Sequence, residues 1–387
     1  GPRIFTSSAN QFNAFMTDSW KPIRNVTINY GLRFDSATFF NDLGETITSV
    51  NLISPRVGVA WDPFNDQSTV LKFHIGRYVD TGRFAISNFL NSRYGGSKLI
   101  LGDYFEGSNA NNSLYQFDLG QNRYESADNL VSPHTDELTV GLEREIVYDI
   151  ALGITGVQKW YSNLWEDDEI NLIWNEDATS VVGSRYSGQI NDIYRLRTPD
   201  EAFRTYRSLQ FTARQRFSDK KLELLASYTL SELKGNTSSN LTANLDIPQQ
   251  NAYSIGYLAT DRRHVIKANA TYELPLDFVL GTTFEYLSGT PFNLLGWNDW
   301  YLGYNNYTQP RGVHARNPSS WTSDVRIAKN VDFKEFGRME LSLDILNLFN
   351  NRSIASVSSG IYNTYGEILP SSVLRPRRFS LQMRLEY

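Results

Sequence analysis

The sequence predicts an all-β chain of antiparallel, membrane-crossing strands forming the wall of a β-barrel. Three observations lead there. Apolar and polar residues alternate with period two in segment after segment, each segment is about as long as a tilted bilayer-crossing strand, and the connections are alternately short and long. A period of two sends the apolar set to one face of a strand and the polar set to the other.

Thirteen segments carry the pattern, at about 10–20, 26–36, 54–62, 68–79, 135–147, 149–161, 205–217, 221–233, 264–273, 277–289, 321–331, 338–349 and 377–387. In the second, Val26, Ile28, Tyr30, Leu32 and Phe34 alternate with Thr27, Asn29, Gly31, Arg33 and Asp35. Leu71, Phe73 and Ile75 alternate with Lys72, His74 and Gly76, and Leu138, Val140 and Leu142 with Glu137, Thr139, Gly141 and Glu143. Leu209, Phe211 and Ala213 oppose Ser208, Gln210, Thr212 and Arg214, while Phe278, Leu280, Phe284 and Tyr286 oppose Gly281, Thr283 and Glu285. Met339, Leu341, Leu343 and Ile345 oppose Glu340, Ser342 and Asp344. At the end of the sequence Phe379, Leu381, Met383, Leu385 and Tyr387 alternate with Ser380, Gln382, Arg384 and Glu386.

Short connections are expected near Lys21–Asn25, Asp62–Gln67, Val147–Asp149, Ser218–Lys220, Leu274–Leu276 and Asp332–Gly337, and long ones near 37–53, 80–134, 162–204, 234–263, 290–320 and 350–376. Tight turns at one end and long loops at the other are the asymmetry of an outer-membrane barrel. The long loops are rich in Asn, Gly, Ser and Tyr, as in GSNANNSLYQ (107–116), a composition for exposed, polar contact surfaces.

Polar residues that intrude on the apolar face sort by position. Arg77 and Gln158 fall at the long-loop end, and Arg144, Gln215 and Lys329 at the short-turn end. Charge at the bilayer midplane of a barrel costs about 2–4 kcal/mol and almost nothing at the interface, so lipid contact selects this placement. The opposite face is charged along its length and needs water or a polar partner. A wide barrel supplies either one in its lumen.

Composition agrees. Hydrophobic residues make up 41% of the 387, because only half of each strand meets lipid. No run of about eighteen apolar residues occurs, so no transmembrane helix is expected. Aromatics reach 13%, which suits membrane interfaces. The absence of cysteine rules out disulfides and thiolate metal sites. A mixed net charge of −5 argues against a nucleic-acid surface. The opening Gly1-Pro-Arg-Ile-Phe has no basic region followed by an apolar one, so any export signal is expected upstream.

The count of strands is odd, whereas antiparallel closure between first and last strands needs an even number; the expectation is that the chain is part of a barrel. FNAFMTDSWKP (12–22), VTINYGLRFD (26–35), ISPRVGVAWDP (53–63), DRRH (261–264), LSGTPFN (287–293) and LDILNLFNN (343–351), in that order, resemble TonB-dependent outer-membrane receptors, and among them the Oar-like branch. The resemblance implies a barrel of about twenty-two strands filled by an N-terminal plug. Residues 1–387 would then be its C-terminal portion, with the plug, the TonB box and about nine strands outside the chain.

The function so implied is a receptor of the cell outer membrane that takes up an unknown ligand through a plugged barrel with energy from the TonB complex. Its partners would be outer-membrane lipid and lipopolysaccharide, its own plug and TonB, with no nucleic acid and no cofactor. The plug-facing wall would carry Arg33, Arg56, Lys72, Glu143, Arg214, Glu285, Arg326 and Asp344. Three alternatives remain open at this point: a passive porin-like channel, a structural or adhesive surface protein whose loops 80–134 and 162–204 bind a protein or polymer, and a soluble all-β protein.

Candidate chemistry is sparse. His74, His134, His264 and His314 show no metal-pair spacing. Asp167, Asp168 and Glu169 offer oxygen ligands that suit calcium, but without the ligand ladder and central glycine of an EF-hand they read first as solvated loop charge. DRRH suits an anion, or more simply an ion pair between loop and strand. No phosphate loop or nucleophile elbow occurs, and an enzyme is not expected.

Overall fold

A computed structural model of the protein describes residues 8–41, 44–80, 98–101, 115–118, 123–126, 130–147, 149–185, 193–217, 222–238, 245, 247–298, 303–333, 337–362 and 368–386. Thirteen strands lie side by side in chain order in one antiparallel sheet. They are β1 (Ser8–Ile23), β2 (Val26–Phe40), β3 (Thr46–Trp61), β4 (Thr69–Val79), β5 (His134–Glu145), β6 (Ile150–Ser162), β7 (Arg204–Phe217), β8 (Leu222–Gly235), β9 (His264–Leu274), β10 (Phe278–Leu287), β11 (Ser320–Asp332), β12 (Arg338–Leu346) and β13 (Arg378–Glu386). All thirteen expected segments are present. The two-residue strand Gly256–Tyr257 adds to the end of β8.

Register aligns the two faces across strands. One row runs Val26, Trp61, Leu71, Leu142, Ile154, Phe211, Tyr228, Ile266, Tyr286, Trp321 through β2 to β11 without a polar residue. Displaced to the other face, Glu143, Gly153, Thr212, Ser227, Lys267, Glu285 and Thr322 form a second row with no large apolar side chain. Directly opposed residues point to the same side, so the period of two in each strand becomes two continuous surfaces.

The polar face is the concave one. A Cβ at Gly153 would stand 2.5 Å from Thr212 Oγ1 and 3.3 Å from Glu143 Cγ, so only glycine fits there. On the apolar face Gly156 has nothing nearer than 3.9 Å. Side chains converge inside a curved sheet and splay outside it. The apolar belt is accordingly open: Tyr30, Leu32, Phe73, Ile75 and Val140 are all exposed.

Each edge strand has one neighbour, β2 for β1 and β12 for β13. With an odd number of antiparallel strands the two edges run the same way, so they do not meet as an antiparallel pair.

The expected long loop at 37–53 is instead a hairpin extension of β2 and β3. The alternation of Ala37, Phe39 and Val50 with Thr38 and Ser49 continues past the belt, and the turn closes on Asn41, whose Oδ1 accepts the Glu45 N–H at 2.9 Å, and on Gly44 at φ 75°. β12 stops three residues early because Asn347 turns to φ 52°. Other long connections build small sheets of their own, including Glu166–Glu169 with Ile193–Arg197 and Arg123–Ser126, and a single helical turn at Pro248–Asn251. The core lies there: Trp165 and Leu196 cover the inner-face residues Ala37, Phe39 and Val50, all nearly fully buried. The loop tract 107–114 and the turn 218–221 fall outside the described residues.

Candidate functional site

The inner wall is a ladder of opposite charges set by register. Lys72 meets Glu143 at 2.7 Å, Lys159 meets Glu137 at 2.7 Å and Lys267 meets Glu285 at 3.2 Å, each across two adjacent strands. Arg326 lies between Glu340 at 2.6 Å and Asp344 at 3.2 Å. Arg33 holds Asp35 two residues along its own strand at 2.7 Å, at the foot of the cap. The Arg56 guanidinium stacks 4.3 Å over the Tyr78 ring, whose hydroxyl hydrogen-bonds His74 Nε2 at 2.9 Å.

Strand parity places Arg33, Arg56, Lys72, Glu143, Arg214, Glu285, Arg326 and Asp344 all on this one face. Arg214 has no carboxylate partner among the described residues. Apolar side chains that period-two reasoning missed also share the face, among them Phe15 opposite Arg33, Leu225 opposite Arg214, Val70 opposite Glu143 and Leu52 opposite Asp35. The half-exposed pairs contribute little individually, about 0–1 kcal/mol each. Among the described residues the wall is a set of charged donors and acceptors paired across neighbouring strands.

The intruders on the apolar face also sit as expected. Arg77 makes a two-pronged pair with Asp136 at 2.7 and 2.8 Å at the long-loop end. Lys329 reaches the Leu276 carbonyl and Asp277 in a short turn.

Above the wall the family-like motifs form the seams of the cap. Asp261, buried, accepts the Leu233 N–H at 2.6 Å and pairs with Arg316 at 2.5 Å. Arg262 donates to the Ser288 carbonyl at 2.6 Å, and Ser288 Oγ accepts the His264 N–H at 2.9 Å. DRRH and LSGTPFN are thus two halves of one seam, and the ion-pair reading of DRRH holds. LDILNLFNN ends in a second: Asn347 Nδ2 donates to the Asn351 and Arg375 carbonyls at 2.8 Å each, and its Oδ1 accepts the Asn351 N–H. Arg311, buried, donates to the Asn236 carbonyl at 3.0 Å and to Ser238, which ties a third loop to the end of β8.

The acidic tract is part of this cap. Asp168 pairs with Arg197, which also holds Glu201 at 2.6 Å. Glu169 accepts the N–H groups of Asn171 and Leu172 at 2.8 Å. Strand alternation separates Asp168 from its neighbours Asp167 and Glu169, and among the described residues no three such side chains gather as a ligand set. Burial pushes the Asp167 carboxyl up to about 6, with the Asp168 charge adding to it. The Arg197 hydrogen bond pulls Glu201 below its ordinary value. His264 stacks on Tyr228 and shares a 2.9 Å hydrogen bond with it, and His314 meets Phe292 edge-on.

An outer membrane beta barrel domain model matches residues 46–303, two thirds of the chain. The chain belongs to that family of outer-membrane β-barrels. It is a protein of the cell outer membrane. It is 24% identical over 404 residues to the TonB-dependent transporter Oar of Myxococcus xanthus, covering 92% of this chain and 37% of Oar. It is 23% identical to YddB of Escherichia coli over 92% of this chain and 42% of that protein. The structure of the outer membrane transporter YddB superposes with a TM-score of 0.61 at 13% identity, over 98% of this chain and 54% of that one. The ferric enterobactin receptor PfeA of Pseudomonas aeruginosa gives 0.62 at 15% identity, over 97% and 44%. The chain therefore spans about half or less of the proteins it matches. Those proteins are transporters and receptors, not enzymes.

Proposed function

We propose that this barrel wall belongs to a receptor that imports a ligand through a plugged barrel, drawing energy from the TonB complex. Residues 1–387 are its C-terminal portion, and the remaining strands and the plug come from the rest of the protein. One observation carries the reading: the concave face is a register-aligned ladder of charges that also presents Arg214, with no carboxylate partner among the described residues, and the exposed Phe15 and Leu225. A folded, mixed-polarity domain inside the barrel satisfies such a wall, whereas a simple water-filled pore gives Phe15 and Leu225 nothing to contact.

Movement of that domain couples uptake to the inner membrane, and the resemblance to Oar supports TonB as the motor. The test is ligand uptake by intact cells before and after the proton gradient is collapsed. Uptake stops in a TonB-driven receptor. Uptake that continues unchanged, with steady conductance of the whole protein in planar bilayers, identifies a passive channel instead.

A further inference from the structure

We propose that the concave face carries a binding site for an organic carboxylate, built by Arg56, Ser54 and His74 in an open cavity of about 690 Å³ beneath the cap. At the centre of the cavity lie four inner-face positions on β2 and β3. Register sets Gly31 opposite Arg56 and Arg33 opposite Ser54, so the two arginines stand on one diagonal and the glycine and serine on the other. Diagonal neighbours are within reach of long side chains, and the two small residues leave the space between the guanidinium groups open. Asp35 takes Arg33 at 2.7 Å. Arg56 has no carboxylate partner among the described residues; its Nε donates to the Arg77 carbonyl at 3.4 Å and its guanidinium stacks on Tyr78. Ser54 is fully buried, and its hydroxyl has no hydrogen-bond partner among the described residues, a costly state for a polar group that a ligand would relieve. Two residues along from Arg56, Gly58 lies opposite His74. A Cβ at Gly58 would stand 3.6 Å from His74 Nδ1, so glycine leaves that nitrogen uncovered, while Nε2 is held at 2.9 Å by the Tyr78 hydroxyl. With Tyr78 donating to Nε2, Nδ1 carries the ring proton and donates into the cavity.

The balance of charge decides which anion fits. Asp35 neutralises Arg33, which leaves the single positive charge of Arg56 for a ligand to meet. A carboxylate matches it one for one, whereas a phosphate group brings close to two negative charges. The guanidinium fork suits the paired carboxylate oxygens, whose remaining lone pairs accept the Ser54 hydroxyl and His74 Nδ1–H. Lys72 and Lys159 further along the wall are already matched by Glu143 and Glu137 and offer no such charge. Phe15, exposed and directly opposite Arg33, gives the cavity an apolar side, which suits a carboxylate carried on a ring or hydrocarbon body. The inference rests on the import reading, because it names the class of ligand that the lumen takes.

The test uses the whole protein in detergent micelles, titrated calorimetrically with phenylacetate, with its neutral analogue phenylacetamide and with inorganic phosphate. Phenylacetate should bind about tenfold more tightly than the amide, the effect of one charge-assisted hydrogen bond. Arg56→Gln should abolish that preference, and Gly58→Val, which fills the space beside His74 Nδ1, should weaken both probes. Lys267→Gln, on the same wall but already paired with Glu285, should keep the wild-type preference. Heat-modifiable gel mobility checks that each variant is folded. Failure of phenylacetate to bind, or an unchanged preference in folded Arg56→Gln, overturns the site. Phosphate that binds as tightly as phenylacetate overturns the carboxylate assignment. Binding to the purified protein needs no proton gradient, so the two readings fail separately. Lost binding with gradient-dependent uptake intact strikes the site alone, and intact binding with uptake indifferent to the gradient strikes the import reading alone.

Discussion

Placing an arginine at Phe211 should separate a lipid-facing from a water-facing position most sharply. Phe211 lies midway along β7, between Ile154 and Tyr228 in the unbroken apolar row. A lipid-facing arginine at mid-depth costs about 2–4 kcal/mol relative to alanine, against about 0–1 kcal/mol near either interface. Phe211→Arg should therefore be less stable than Phe211→Ala by about 2–4 kcal/mol, and Gln215→Arg, at the short-turn end of the same face, by less than about 1 kcal/mol relative to Gln215→Ala. Gln210→Arg is the decisive control. It is one residue away, at the same depth, and faces the inner wall, so its charge stays hydrated. Denaturant-induced unfolding of the whole protein in phospholipid vesicles reads all of these. Equal penalties at 210 and 211 would refute the assignment of faces.

Further outcomes follow from the cap and the ladder. Arg316→Gln leaves the buried Asp261 carboxylate with only its backbone donor, at a cost of about 3 kcal/mol for breaking one side of a buried pair, seen as faster hydrogen exchange at Leu233 and Ser288. Lys72→Gln should change stability by less than about 1 kcal/mol, because the pair with Glu143 is half exposed; a larger loss in the same unfolding assay would mean the pair is shielded. Asp167 titrates near 6 in the folded cap and lower when unfolded. The folded cap thus holds its proton longer, so the stability Asp167 contributes is complete below about pH 4 and is lost as pH rises through about 6. Limited proteolysis within 164–171 should quicken over that range, and Asp167→Asn should flatten the dependence.

Much of this was legible because period two is a property of a single strand. The face assigned to Arg33 or Glu143 needs only its immediate neighbours, and the sorting of Arg77, Gln158, Arg144, Gln215 and Lys329 to the strand ends needs only the position of the turns. Pairings were not legible. That Lys72 meets Glu143, or that Arg326 bridges Glu340 and Asp344, depends on register, which hairpin geometry sets. The extension of β2 and β3 past residue 36 was hidden because its inner residues Ala37, Phe39 and Val50 are covered by the distant Trp165 and Leu196 rather than by lipid or water. The cap sheets are short strands held by contacts remote in sequence, such as the buried Arg311 reaching Asn236. For the same reason Asp167, Asp168 and Glu169 read as solvated loop charge, although they lie on a short strand that buries Asp167 and sends alternate carboxylates to opposite sides.

The most direct measurement uses the absence of cysteine from residues 1–387. Single cysteines from 207 to 214 on β7, spin-labelled in reconstituted membranes, report oxygen and water-soluble quencher accessibility position by position. Lipid contact on the convex face predicts oxygen maxima at 209, 211 and 213 and quencher maxima at 208, 210 and 212, with 224, 226 and 228 on β8 in phase with the oxygen set. A flat profile, or the opposite phase, contradicts it.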